Sequence, residues 1–191
     1  MNLTNIKTTA CFTGHRPNKL GSYNMRHPSI IKIKDKLLEI IESVIINENI
    51  HTFISGGALG FDQIAFWCVH ILKEKYLLKN ILAVPFKNQN IVWSDNQKYW
   101  YSKMTNEADQ IIFVDEIEKY KVSGIDTGIY HIVKMQKRNQ FMVDNSKVVI
   151  SFFDGSKGGT RNCLDYALSK NRTIYQINPS LELQIKRGFE G

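Results

Sequence analysis

Ser55-Gly56-Gly57-Ala58-Leu59-Gly60-Phe61-Asp62 follows a short apolar run, His51–Ile54, and leads into an apolar-periodic segment, Ile64–Leu78. A strand that runs into glycines and then into a helix leaves backbone N–H groups where they can face an anion. Gly56, Gly57 and Gly60 permit positive φ and close backbone approach. The helix behind them brings unpaired N–H groups and the positive end of its dipole. Taken alone, the stretch fits either a plain tight turn or a seat for a ligand's phosphate or carboxylate.

The chain repeats this alternation on both sides. Lys7–Thr13 is β-branched and aromatic and reads as a first strand, stopped by Thr13-Gly14-His15-Arg16-Pro17. After a polar loop, Asn18–Pro28, the residues Ile30, Ile33, Leu37, Ile40, Ile41, Val44 and Ile45 recur every three or four positions, the stripe of an amphipathic helix closed by Asn47–Asn49. His51–Ile54 is the second strand. Ile64, Ala65, Trp67, Cys68, Ile71 and Leu72 mark the second helix, and Ile81–Val84 a third strand ended by Pro85. Trp93–Asn106 is expected to be an aromatic-rich helix and Gln110–Val114 a fourth strand. Asp115–Gly128 is expected to be a mobile or binding loop, and Tyr130–Asp144 a helix with Ile132, Val133, Met135 and Met142 as candidate core. Lys147–Phe152 is a fifth apolar strand, Thr160–Ser169 a helix and Arg172–Ile177 a last strand. Such alternation means βαβ units and a parallel sheet covered on both faces. The expected fold is a single Rossmann-like α/β domain over residues 1–191, with a core at about 7–177 and a polar tail, 178–191, that frays.

Composition agrees. Apolar residues are 43% and charged residues 23% of 191, an ordinary globular balance. A chain this long buries roughly 70% of its unfolded surface without a staple. Cys11, Cys68 and Cys163 lie far apart in apolar contexts, which reads as buried reduced thiols in a cytoplasmic protein. No apolar run approaches membrane-spanning length, so no membrane partner is expected. The net charge of +7 favours anionic partners without choosing among them. Lys32, Lys34 and Lys36, and the group Lys134, Lys137 and Arg138, read as solvated basic faces.

In a parallel sheet, ligands bind at the carboxyl ends of the strands. Three glycine-bearing loops fall there: Gly14-His15-Arg16-Pro17, Ser55–Asp62, and Asp154-Gly155-Ser156-Lys157-Gly158-Gly159-Thr160. Helix ends at two of them, with Arg16 or Arg138 as bidentate clamps, suit a nucleotide phosphate.

The Ser55–Asp62 turn followed by Ala65 resembles the "SGGAxGxDxxA" turn of the SLOG superfamily, which includes DprA and the LOG phosphoribohydrolases. Thr13–Pro17, Arg138-Asn139-Gln140-Phe141-Met142-Val143-Asp144 and Asp154-Gly155 with Gly158-Gly159-Thr160 make it similar to the YpsA/YoqJ branch, often of prophage origin. The resemblance implies a Rossmann-like pocket for a nucleotide or nucleotide-derived ligand, with Gly56, Gly57, Gly158, Gly159 and Thr160 on the phosphate side. Thr160 is also a candidate helix N-cap. LOG enzymes carry a glutamate three residues after their motif threonine. Here Cys163 stands in its place, the motif's proline is absent and the next acid is Asp165, so LOG-type hydrolysis is not expected.

The expected ligand-binding set is Gly14, His15, Arg16, Ser55, Gly56, Gly57, Gly60, Asp62, Arg138, Asn139, Asp154, Gly158, Gly159 and Thr160. Asp62, Asp154 and His15 are the candidates for acid–base work. Asp62 suits a ribose hydroxyl or its own helix N–H groups, and Asp144 ends a helix or caps a turn. His15 is expected to be neutral near pH 7 because Arg16 is adjacent. Arg138 and Asn139 are neighbours on a helix and cannot share one face fully, so one is expected to point to the pocket and the other to hold the adjoining loop. Trp93, Tyr99, Trp100 and Tyr101 read as core or a dimer face rather than a stacking platform. No metal-ligand or cofactor pattern is present, and no cofactor is expected. The leading reading is a sensor or sequestering protein for a nucleotide-derived small molecule. The alternatives are a hydrolase of an N-glycosidic or phosphoester bond and, third because the lysines are dispersed, a DprA-like single-stranded-DNA binder. A homo-oligomer is allowed but no stripe specifies one.

Overall fold

The computed structural model describes residues 5–22, 24, 26–179 and 183–188. One seven-stranded sheet runs through it in the order β4-β3-β2-β1-β5-β6-β7. The strands are β1 (Thr9–Gly14), β2 (Thr52–Ser55), β3 (Lys79–Val84), β4 (Gln110–Phe113), β5 (Val148–Phe152), β6 (Thr173–Asn178) and β7 (Gln184–Arg187). All neighbours are parallel except β7, which pairs antiparallel with β6. The fold is thus the expected Rossmann-like α/β architecture. The tail differs from expectation in its described part: residues 184–187 are a paired edge strand.

The helices are α1 (Pro28–Glu48), α2 (Phe61–Leu72), α3 (Asp95–Glu107), α4 (Ile132–Asp144) and α5 (Gly159–Ser169). Strand residues alternate faces. Phe12, Phe53 and Ile150 therefore pack under α1 and α2, while Cys11, Ile54, Ile81 and Val149 pack under α4 and α5. On the α2 side, Leu82 and Val84 continue the layer beneath Tyr101 and Met104 of α3. The seven residues of the first helical stripe are all buried, and Asn49 closes α1 in the left-handed conformation at φ 57°. The second helix ends at Leu72, the last of its expected markers.

The α4 stripe differs from the sequence reading. Ile132 and Val133 are exposed, and the inward face is Lys134, Arg138, Phe141 and Met142. Lys134 thus occupies a position read as solvated, and Arg138 one read both as part of that basic group and as a ligand clamp. Lys134 Nζ lies 2.8 Å from Asp115 Oδ2 and donates to Asp126 O, and Gly128 N–H donates to the same carboxylate oxygen. With both ends of the pair almost fully buried, the stretch read as a mobile or binding loop is anchored to α4 at Asp115 and Asp126. Among the described residues no helix is long and apolar enough to cross a membrane.

Candidate functional site

β1 is the strand from which the order runs both ways, so the gap between the carboxyl ends of β1 and β5 is the switch point of the sheet. Each strand there ends in a loop. Gly14–Pro17 leaves β1, and residues 153–158 leave β5 towards α5. α4 and the Ala58–Asp62 turn close the sides. They enclose a cleft of about 430 Å³, lined by Gly14, His15, Arg16, Asp62, Arg138, Asn139, Gly158, Gly159 and Thr160 of the expected set. Asn18, Lys19, Gln136, Ser156 and Lys157 also line it; sequence reasoning missed these, although Lys19 and Lys157 sit inside the quoted loops.

The two glycine-led helix ends behave differently. At α2 the anion is supplied by the chain itself. Asp62 is buried, accepts the Ala58 N–H at 3.4 Å and lies 3.3 Å from Arg138 Nη1. Burial raises its carboxyl pKa, against the charges of Arg138 and Arg16 and the N–H groups of Ala58 and Gly56. A Cβ on Gly56 would sit 1.5 Å from Arg138 Nη1, so this glycine is needed to admit the guanidinium. Gly60, at φ 99°, lets the turn close on the β1 loop: its Cβ would meet His15 O at 2.6 Å, and Phe61 N–H donates to that same oxygen. Gly57 faces Gln89, Tyr101 and Met104, while Ser55 is fully buried and its Oγ has no hydrogen-bond partner. None of Ser55, Gly56, Gly57 and Gly60 lines the cleft. The stretch that decides the fold therefore builds the cleft floor rather than offering an anion seat, because Asp62 already fills it.

At α5 the end is open. Its N-cap is Gly158, with no side-chain cap, and Gly158 and Gly159 have nothing within 4 Å of where a Cβ would lie. Thr160 lies inside the helix and is not its cap. Arg16, Lys157, Gly158 and Gly159 are exposed in the cleft wall, so cations and free N–H groups converge on one space.

Between the two loops stands a polar cluster. His15 Nε2 lies 2.8 Å from Asp154 Oδ1 and 3.2 Å from Asp154 N. Burial lowers the His15 pKa and Asp154 only partly offsets it; the expected neutral form stands, but burial rather than Arg16 is its main cause. Burial acts to raise Asp154, yet the Ser156 hydroxyl and N–H, together with His15 and Lys19, bring it well below the usual carboxylate range. Lys19 Nζ reaches Asp154 Oδ2 at 3.4 Å and also donates to Ser156 Oγ. Asp154 itself lies behind the lining residues and orients His15 and Lys19.

Arg138 and Asn139 divide their tasks. Arg138 turns inward to Asp62, and its Nε donates to Asn139 Oδ1, which holds Asn139 at the cleft. At the position of the LOG glutamate, Cys163 is buried and its thiol is pushed up to about 11 by that burial. Asp165 is ion-paired to Arg161 at 2.9 Å. Asp144 ends α4 and accepts from Lys119, Tyr120 and Tyr166, a structural role. The aromatic group splits: Tyr101 is buried, while Tyr99 and Trp100 are half-exposed.

Sheet order and a cleft at the switch point define a Rossmann-like α/β protein. The chain belongs to the YpsA family (YspA SLOG family), whose profile it matches over residues 10–180. It is 51% identical over 164 residues to YoqJ, an SPbeta prophage-derived protein of Bacillus subtilis (strain 168), covering 84% of this chain and 96% of YoqJ. A UPF0398 protein of Bacillus thuringiensis (strain Al Hakam) is 25% identical over 163 residues, 85% of this chain and 83% of that protein. Among solved structures, DprA of Streptococcus pneumoniae superposes with a TM-score of 0.59 at 14% identity, over 91% of this chain and 51% of DprA. DprA of Helicobacter pylori, described with a single-stranded DNA binding mode, superposes with a TM-score of 0.55 at 17% identity, over 90% and 65%. This chain spans about half of the first DprA and just under two thirds of the second. At these identities the likeness is one of fold.

Proposed function

We propose that the cleft binds the phosphate-bearing part of a nucleotide or nucleotide-derived ligand, and that the protein acts as a sensor or sequestering protein. The observation that carries this is the contrast between the two helix ends. The glycine turn before α2 holds the chain's own Asp62 carboxylate and the Phe61 N–H is taken by His15 O, whereas the α5 end is open beside Arg16 and Lys157. A helix N-terminus favours a nearby anion by about 0.3–1 kcal/mol when exposed and by up to about 2 when partly buried. The arginine adds charge-assisted, bidentate hydrogen bonds. Asn139, Gln136 and His15 line the same cleft and supply the polar contacts that orient the rest of the ligand. A hydrolytic reading finds little support, because Cys163 is a buried thiol and Asp62 is engaged by Arg138.

The test is a thermal-shift screen of nucleotides, cyclic dinucleotides and ADP-ribose derivatives against the protein and its Gly159→Asp variant. A ligand selective for the native state stabilises it by about 2.7 kcal/mol at a hundred times its dissociation constant. Gly159 is the first residue of α5 with open space at Cβ, so an aspartate there suits the helix dipole and fills the site with its own carboxylate. The variant is expected to melt at or above the parent temperature and to lose every ligand shift. No shift for any ligand at millimolar concentration overturns the reading, as does a shift that Gly159→Asp leaves intact.

A further inference from the structure

Across the wall formed by Arg16-Pro17 and Leu59-Gly60 lies a second and larger cavity, of about 880 Å³, between the loop after β1 and helices α1, α2 and α3. Leu59 lines both cavities, so the two share a wall. Their chemistry differs. The second groove presents Trp67, partly buried, and Trp100, half-exposed, with Arg26 and Lys34 also lining it. Among the described residues no aspartate or glutamate lines it. Gln63 also lines it with part of its side chain, while its Nε2 is buried away from the groove.

Indole faces beside cations fit a nucleobase and its phosphate better than they fit an apolar side chain, which would gain nothing from the cations. We propose that this groove is a base-stacking subsite, and that the ligand is a single-stranded oligonucleotide whose terminal phosphate sits at α5 and whose next residues cross Leu59 to stack on Trp67 and Trp100. The proposal rests on the cleft reading above and narrows its ligand class from mononucleotides to short single strands. The cations then meet backbone phosphates, and the bases need no particular sequence, since every base has a stacking face.

The test titrates the full chain, at low salt, with thymidine 5′-monophosphate and with a short 5′-phosphorylated oligothymidylate. Binding is read by tryptophan fluorescence and by calorimetry. The oligomer is expected to bind more tightly than the monophosphate by at least roughly tenfold, since each stacked base contributes roughly fivefold to a hundredfold. Trp100→Ala, at a half-exposed position that the fold tolerates, is expected to remove most of that gain, and Trp100→Phe to restore part of it. Lys34→Gln is expected to flatten the salt dependence of oligomer binding by about 0.7 in the log–log slope. Equal affinities for the two probes, or a gain that survives Trp100→Ala, overturns the groove while the cleft reading stands. Oligomer binding that needs Trp100 but ignores Gly159→Asp overturns the cleft reading and the spanning ligand. No binding of either probe overturns the single-strand ligand and the groove, and the wider thermal-shift screen then decides the cleft reading.

Discussion

Arg138 shows how a single side chain ties the fold to the site. It is buried against Asp62, its passage is left open by Gly56, and its Nε holds Asn139 at the cleft. Removing one partner of a buried pair leaves the other charge without compensation. Arg138→Met is therefore expected to cost about 3–5 kcal/mol in chemical denaturation at neutral pH. The double variant Asp62→Asn/Arg138→Met should recover part of this, because no charge is then stranded. Asp62 has its pKa raised in the fold already, and loss of Arg138 raises it further. A raised carboxyl contributes stability that is present below its unfolded value, near 4, and lost as pH rises. The penalty of Arg138→Met should thus shrink as the pH is lowered towards 4. A penalty that does not vary with pH would show that Asp62 is not the group left unpaired.

Among the elements, α1 and α4 show what periodicity can and cannot reveal. The α1 stripe was legible because each inward position is apolar, and all seven are buried. In α4 the inward positions begin with Lys134 and Arg138, so an apolar count shifts the stripe onto Ile132 and Val133. The spacing of Lys134, Arg138, Phe141 and Met142 is helical, and reading charges together with apolar residues would have found the face. β7 was missed for a related reason: its register is held from outside by Glu48 at the end of α1. The Glu48 carboxylate receives Lys147 at 2.8 Å, Tyr175 at 3.1 Å and Arg187 at 2.7 Å. Glu48→Gln is expected to speed hydrogen exchange at residues 184–187 while lowering global stability by only about 1–2 kcal/mol. Equal acceleration across β5 and β6 would argue that Glu48 supports the whole sheet instead.

On the scale of the whole molecule, the His15–Asp154 contact joins the loops after β1 and β5 across the switch point. Because burial depresses the His15 pKa, the unfolded chain takes up a proton near pH 6.5 that the native state refuses. Stability tied to His15 is therefore complete above that pH and falls as the pH drops through it. Denaturation midpoints at pH 7.5 and 5.5 should show this loss, and His15→Gln should reduce it. An unchanged slope in the variant would place the acid sensitivity elsewhere.

The sequence by itself determined the alternation of strands and helices, the parallel sheet, the family and the loops that meet at its carboxyl edge. These follow from spacings of two to four residues and from short motifs, so they are written locally. Only the tertiary structure decided which helix end is open. The partner that neutralises Asp62 lies 76 residues away on α4. Whether a glycine turn receives a ligand's anion or the chain's own carboxylate depends on that distant contact. The same holds for the tryptophan groove, whose walls come from four separate stretches of chain. Burial and charge pairing are set by what folds against a residue, and no local pattern records them.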